Sequence, residues 1–70
     1  MITKEFILKH EEIDIDVFFI AANIHRIIVL EGGNKNENKK IILDNCRGLP
    51  AKVLQDVIFI LENGYDIGIA

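Results

Sequence analysis

The amino-acid sequence predicts an α+β fold, a small two-layer sandwich in which one helix covers a mixed sheet of four to five strands. Three observations favour this class. Apolar and polar residues alternate in the first part of the chain, two β-prone runs flank a loop rich in Gly and Asn, and one later run has clear helical spacing. With 70 residues, half of them hydrophobic, the chain is expected to form a single small globular domain over residues 1–70.

The predicted strands are the segments rich in β-branched and aromatic residues or in alternating polarity. They are residues 2–9, 13–20, 24–31, 39–44 and 65–70. The polar run 32–38 lies between the third and fourth strands and therefore predicts a hairpin with a long, exposed loop.

One helix is predicted to begin at Pro50, because proline suits the first helical turn. Gly64 is placed to end it. Apolar residues recur between them at helical spacing and are expected to pack on the sheet. The strand 39–44, this helix and the strand 65–70 together have the size of a right-handed crossover between parallel strands.

The predicted core combines the apolar face of the helix with one face of each strand, since side chains alternate along a strand. Its members are Phe6, Leu8, Val17, Phe19, Ile28, Leu30, Ile41, Leu43, Val53, Leu54, Val57, Ile58, Leu61 and Ile67. Substitution of these residues by alanine is therefore expected to destabilise the domain.

Residues 14–25 also admit a helix that begins near Asp14 and contains Ala21 and Ala22. The element order would then be βαββαβ, the ferredoxin-like arrangement. That order resembles the layout of the histidine-containing phosphocarrier family. The motif of that family, a His near an Arg-Pro pair after the first strand, is absent, because His10 stands in the sequence Lys-His-Glu-Glu-Ile. The resemblance therefore implies no phosphotransfer.

Charge and composition argue against several functional classes. Eight basic and eleven acidic residues give a formal charge of -3, which does not supply the cationic surface that binds nucleic-acid phosphates. The apolar run 17–22 is far shorter than the roughly 20 residues of a membrane span. Cys46 is the single cysteine and has no partner for an internal disulfide. We expect a cytoplasmic protein that binds neither nucleic acid nor membrane.

The segment 44–50 is the first candidate site, because ligands on parallel strands bind beyond the strand ends, near a helix N-terminus. There Asn45, Cys46 and Arg47 would hold a small anion. A simple connection between strand and helix explains the same residues and is the favoured interpretation. No nucleotide, metal or catalytic spacing accompanies them in the sequence, so no cofactor and no metal are expected.

The leading functional hypothesis is a small non-enzymatic interaction or regulatory module that binds a protein partner or forms a homodimer. A domain of this length buries only about 60% of its unfolded surface, so association would stabilise it. The predicted interface residues are Phe59 and Ile60, which widen the apolar face of the helix, and Tyr65, which begins an edge strand. The alternative is a small-ligand or anion-binding protein that uses the segment 44–50.

Overall fold

The computed structural model describes residues 2–31 and 33–67, and over these two ranges it contains four α-helices and no strand. The helices are α1 (Lys4–Lys9), α2 (Ile15–Glu31), α3 (Lys35–Asn45) and α4 (Ala51–Gly64). The predicted α+β sandwich is therefore wrong, and the ferredoxin-like alternative is wrong with it. The domain is a small helical bundle in which α2 packs against both α4 and α3.

Helix α2 joins two segments that were predicted as separate strands, 13–20 and 24–31, and confirms the alternative of a helix that begins near Asp14. It begins directly after Asp14, whose backbone carbonyl accepts a hydrogen bond of 3.0 Å from the N–H of Val17. Val17, Ala21, Ile24 and Ile28 are all buried, at the i, i+4, i+7, i+11 spacing of one helix face. The helical spacing of these buried residues, rather than the alternation of polarity near the start of α2, therefore determines its structure.

Helix α3 replaces the predicted hairpin loop and the strand after it. The side chain of Asn34 accepts a hydrogen bond of 2.9 Å from the N–H of Glu37. In return, the Glu37 carboxylate accepts hydrogen bonds from the N–H of Gly33 and from Nδ2 of Asn34, at 3.0 and 2.8 Å. This reciprocal arrangement is similar to a capping box, and it gives a partner to the N–H of Glu37, which the first helical turn leaves without one. Ile42, on the inner face of α3, is 1% exposed.

Helix α4 confirms the prediction of a helix after Pro50. Pro50 is its N-cap residue, and Gly64 is its last residue. The preceding turn contains Gly48 with φ of +83°, a left-handed conformation that glycine adopts without steric cost. Val57 and Leu61 are fully buried, as predicted.

Helix α1 and the chain after α4 both pack on the bundle. Thr3 caps α1 by accepting a hydrogen bond of 3.1 Å from the N–H of Phe6. The ring of Phe6 lies 6.3 Å from that of Phe18, edge to face. At the other end, Tyr65–Ile67 do not form the predicted strand, and residues 68–70 lie outside the described part. Instead the ring of Tyr65 stacks on His25 at 3.9 Å.

The buried core differs from the predicted one in a systematic way. Leu8, Phe19, Leu30 and Leu43 are exposed, because they were assigned to the core as alternate residues of strands. The other ten predicted residues are buried or packed against the core. The core residues that the strand pattern missed are Ile13, Phe18, Ala21, Ile24, Ile42, Cys46 and Ile60. The errors within the predicted strands follow from using a period of 2 where the backbone has a period of 3.6, whereas Ala21, Cys46 and Ile60 lie outside those strands.

We predict that Ile60→Ala lowers the free energy of unfolding by about 2–4 kcal/mol, because it leaves a cavity beside side chains that cannot fill it. Chemical denaturation at low micromolar concentration measures this loss. Leu30→Ala serves as the control, because Leu30 is 76% exposed and its removal leaves no cavity. The expected change is about 0.5 kcal/mol or less. Equal losses for the two variants would contradict the placement of Ile60 in the core.

We also predict that Asn34→Ala lowers the free energy of unfolding by about 1 kcal/mol, because it removes the cap of α3. The matched control is Asn36→Ala, an exposed position in the first turn of the same helix. That change is expected to be neutral or slightly stabilising, since alanine favours helix. If thermal unfolding ranks the two variants in the opposite order, α3 does not begin at Asn34.

Candidate interaction surface

The segment 44–50 connects two helices, so it is not the strand-to-helix junction on which the predicted anion site depended. Asn45 donates a hydrogen bond of 2.7 Å from Nδ2 to the backbone carbonyl of Ile41. Arg47 is exposed and lies 3.5 Å from the carboxylate of Asp44. Asn45 ends α3, and the carboxyl end of a helix carries partial negative charge, which disfavours an anion.

Cys46 is a core residue rather than a binding residue. It is the C-cap residue of α3, and its N–H donates a hydrogen bond of 3.0 Å to the carbonyl of Ile42. Burial raises the pKa of its thiol, so the reactive thiolate is disfavoured at neutral pH. Thus Asn45, Cys46 and Arg47 do not converge on a common point in the structure.

No group of three His, Cys, Asp or Glu side chains suited to a metal ion occurs in residues 2–31 and 33–67. His10, which is capable of binding a metal, lies among aromatic rings instead. Its ring centroid is 4.6 Å from that of Phe6 and 5.0 Å from that of Phe59, and its Nδ1 is 3.6 Å from a carboxylate oxygen of Glu12. His10 therefore has a packing role here.

The three predicted interface residues on α4 and after it offer little free surface. Ile60 is completely buried, so in this structure it offers no surface to a partner. Phe59 is 37% exposed, and its ring packs against Phe6 and His10. Tyr65 is half-buried against His25. Most of the apolar surface expected to be available on these residues is used within the chain.

A larger apolar surface lies on the side of α2 that points away from α4, which we call the α2 outer face. Its residues recur at positions i, i+4, i+7, i+11, i+14 and i+15, which lie along one stripe of a helix. They are Ile15, Phe19, Ala22, Arg26, Val29 and Leu30. Phe19 is 63% exposed, Val29 67% and Leu30 76%. Helix α2 is therefore apolar on two sides, of which only one is covered by the described part of the chain.

Two open grooves adjoin the N-terminal end of the α2 outer face. One, of about 480 Å³, lies between α1 and the start of α2, and apolar residues such as Ile7 and Leu8 line it together with the acidic residues Glu11, Glu12 and Asp14. The other, of about 230 Å³, reaches from Ile15 and Phe18 to Tyr65 and is mostly apolar. At one end the exposed stripe therefore continues into two concave surfaces, one partly acidic and one mostly apolar.

The predicted strands leave no place for this surface, although the sequence contains the signal for it. Under the strand prediction, Phe19 and Leu30 belong to the core, where no surface role would be sought. Under a helical period, the same residues fall on one stripe with Ile15 and Val29. The spacing of these residues therefore contained the signal, which is recognisable only when the segment is assigned to a helix.

The stacked pair His25 and Tyr65 joins α2 to the end of α4. Burial is the main cause that lowers the pKa of His25 below its ordinary value of 6.5, because it disfavours the charged imidazolium. Burial also raises the pKa of the Tyr65 phenol. Both rings are therefore favoured in their neutral forms in the folded domain.

We predict that the domain loses stability as the pH falls below about 6.5. The unfolded chain protonates His25 at its ordinary pKa, whereas the folded chain resists protonation until a lower pH, so the unfolded state binds more protons in this window. Thermal melts between about pH 7.5 and pH 5 measure the effect. The variant His25→Gln should lose this component, and His10→Gln should keep it. An unchanged pH dependence in His25→Gln would contradict the prediction.

In the described residues, no helix has both the length and the apolar composition needed to cross a membrane.

Known proteins give no guide to the function of this domain. Comparison with protein-family models, with curated proteins and with solved structures finds no match for this chain. The surface chemistry of the chain itself is therefore the basis for assigning a function.

Proposed function

We propose that this chain is a small, non-enzymatic interaction module that acts by self-association, with a second copy covering the α2 outer face. A single observation supports this proposal: Phe19, Val29 and Leu30 are each more than 60% exposed on one stripe of a helix. Contiguous exposed apolar surface of this kind characterises interaction sites, whereas isolated exposed apolar residues do not.

Self-association fits the shape of this stripe. The two halves of the stripe flank Ala22, with Ile15 and Phe19 on one side and Val29 and Leu30 on the other. A two-fold axis near Ala22 therefore places apolar residues of one copy against apolar residues of the other, as an isologous interface requires. The same surface serves both partners, so no second protein is needed to complete it.

The size of the stripe indicates a weak dimer. Full burial of a Val, Leu, Ile or Phe side chain stabilises by about 1.5–3 kcal/mol, and four such residues on each copy are half or more exposed. Association costs about 4–15 kcal/mol before any contact is counted. The gain and the cost are of similar size, so we expect a weak dimer, with a dissociation constant on the order of 10–100 µM.

We predict that Phe19→Glu weakens the dimer at least about tenfold, because the interface would bury a carboxylate without a partner. Sedimentation velocity over a concentration series through the expected dissociation constant measures the change. The unmodified chain should shift from one to two chain masses across the series, and the variant should stay near one.

The matched control for this experiment is Leu43→Glu, which makes the same charge change at an exposed leucine on α3. It should dimerise like the unmodified chain, since α3 lies outside the α2 outer face. A chain that stays monomeric at several hundred micromolar, roughly tenfold above the expected dissociation constant, would refute the proposal. Equal effects of the two variants would place the interface elsewhere.

A further inference from the structure

We infer that the two copies pack antiparallel, with the α2 helices crossing at Ala22 and with Arg26 contacting Phe19 and Asp16 of the second copy. This inference rests on the proposed self-association and adds the orientation of the partner and the residue that selects it. It draws on three features of the α2 outer face: the position of its one charged side chain, its smallest residue and the grooves at one end.

Arg26 is the one charged residue in the stripe and lies near its midline. Its guanidinium donates a hydrogen bond of 3.5 Å to Oδ1 of Asn23. Within residues 2–31 and 33–67, no ion pair joins Arg26 or Asp16 to another side chain. Both charges are therefore available to a second copy.

The charge of Arg26 discriminates between the two possible orientations. In a parallel pair, the two Arg26 side chains face each other at the same level, and burial of like charges opposes association. In an antiparallel pair about Ala22, Arg26 is level with residues 18 and 19 of the other copy. There it meets the ring of Phe19, a favourable cation–π contact, and comes within reach of the carboxylate of Asp16.

Ala22 is suited to the crossing point because a small side chain lets two helix axes approach closely. Residues equally far from it along the helix then meet in pairs, so Val29 is level with Ile15 of the second copy. Leu30 is level with residue 14, beside the groove between α1 and α2. The most exposed apolar residues of one copy are therefore adjacent to this groove of the other, in which Ile7 and Leu8 lie beside acidic side chains.

Disulfide cross-linking tests the orientation, because a disulfide requires two Cα atoms within about 7 Å. Three single variants are used: Ala22→Cys, Ile15→Cys and Val29→Cys. In the antiparallel dimer, Ala22→Cys cross-links with itself under mild oxidation. Two copies of Ile15→Cys hold their thiols about 21 Å apart and do not cross-link, whereas a mixture with Val29→Cys forms the mixed dimer. The native Cys46 is buried, so the unmodified chain measures the background.

A charge exchange provides a second, independent test. Arg26→Glu should weaken the dimer about fivefold or more, because it places an acidic side chain beside Asp16 of the other copy. Adding Asp16→Lys to it should recover most of the affinity. Residues 16 and 26 are ten positions apart on one helix, so recovery reports contact between copies rather than within one.

The possible failures are distinguishable. Self-linking of Ile15→Cys, or no self-linking of Ala22→Cys in a chain that sediments as a Phe19-dependent dimer, overturns the orientation and leaves the proposed function standing. Failure of Asp16→Lys to restore Arg26→Glu overturns the assigned contact of Arg26. Absence of both sedimentation dimer and cross-links overturns the self-association itself. Circular dichroism of each variant verifies that the helices are intact.

Discussion

The packing of α2 against α4 is the interaction on which the rest of the domain depends. Helix α2 contributes five buried residues, among them Ala21 and Ile24, and α4 contributes Val57, Ile60 and Leu61, which are completely buried. Helix α3 adds one buried residue, Ile42, and α1 adds the partly buried Phe6 and Ile7. In a chain this short, the α2–α4 core supplies most of the hydrophobic stabilisation that opposes the entropy of the unfolded state.

The sequence predicted only the part of the fold in which local signals and burial agree. For α4, Pro50 marks the start, Gly48 supplies the turn and apolar spacing follows a helix throughout, so the prediction was correct. For α3, the capping pair of Asn34 and Glu37 marked a helix start, but the run of isoleucines after it favoured a strand by propensity. Propensity is a weak preference, and burial of Ile42 against α2 overrode it.

The candidate site was harder to predict because it depended on the correct period of α2. The alternation of apolar and acidic residues over 13–17 imitates a strand. Val17 and Ala21 nevertheless share the buried face at helical spacing. The wrong period placed Phe19 and Leu30 in the core, and so removed the most exposed apolar residues from consideration as a surface. Ile60 differs, because its helix was predicted correctly; it is completely buried because α4 packs within a bundle rather than on one face of a sheet.

A helix that is apolar on two sides does not reveal from its own sequence which side will be covered. In α2 the choice is made by α4 and α3, which pack on the side of Ala21 and Ile24 and leave the side of Phe19 exposed. The small domain therefore has more apolar surface on α2 than its own other helices cover. Arg26 lies in the middle of that surface and, in the orientation we infer, is the charge that selects a second copy in the opposite direction. In that orientation, one charged side chain within an apolar stripe gives the surface a preference for one arrangement of its partner.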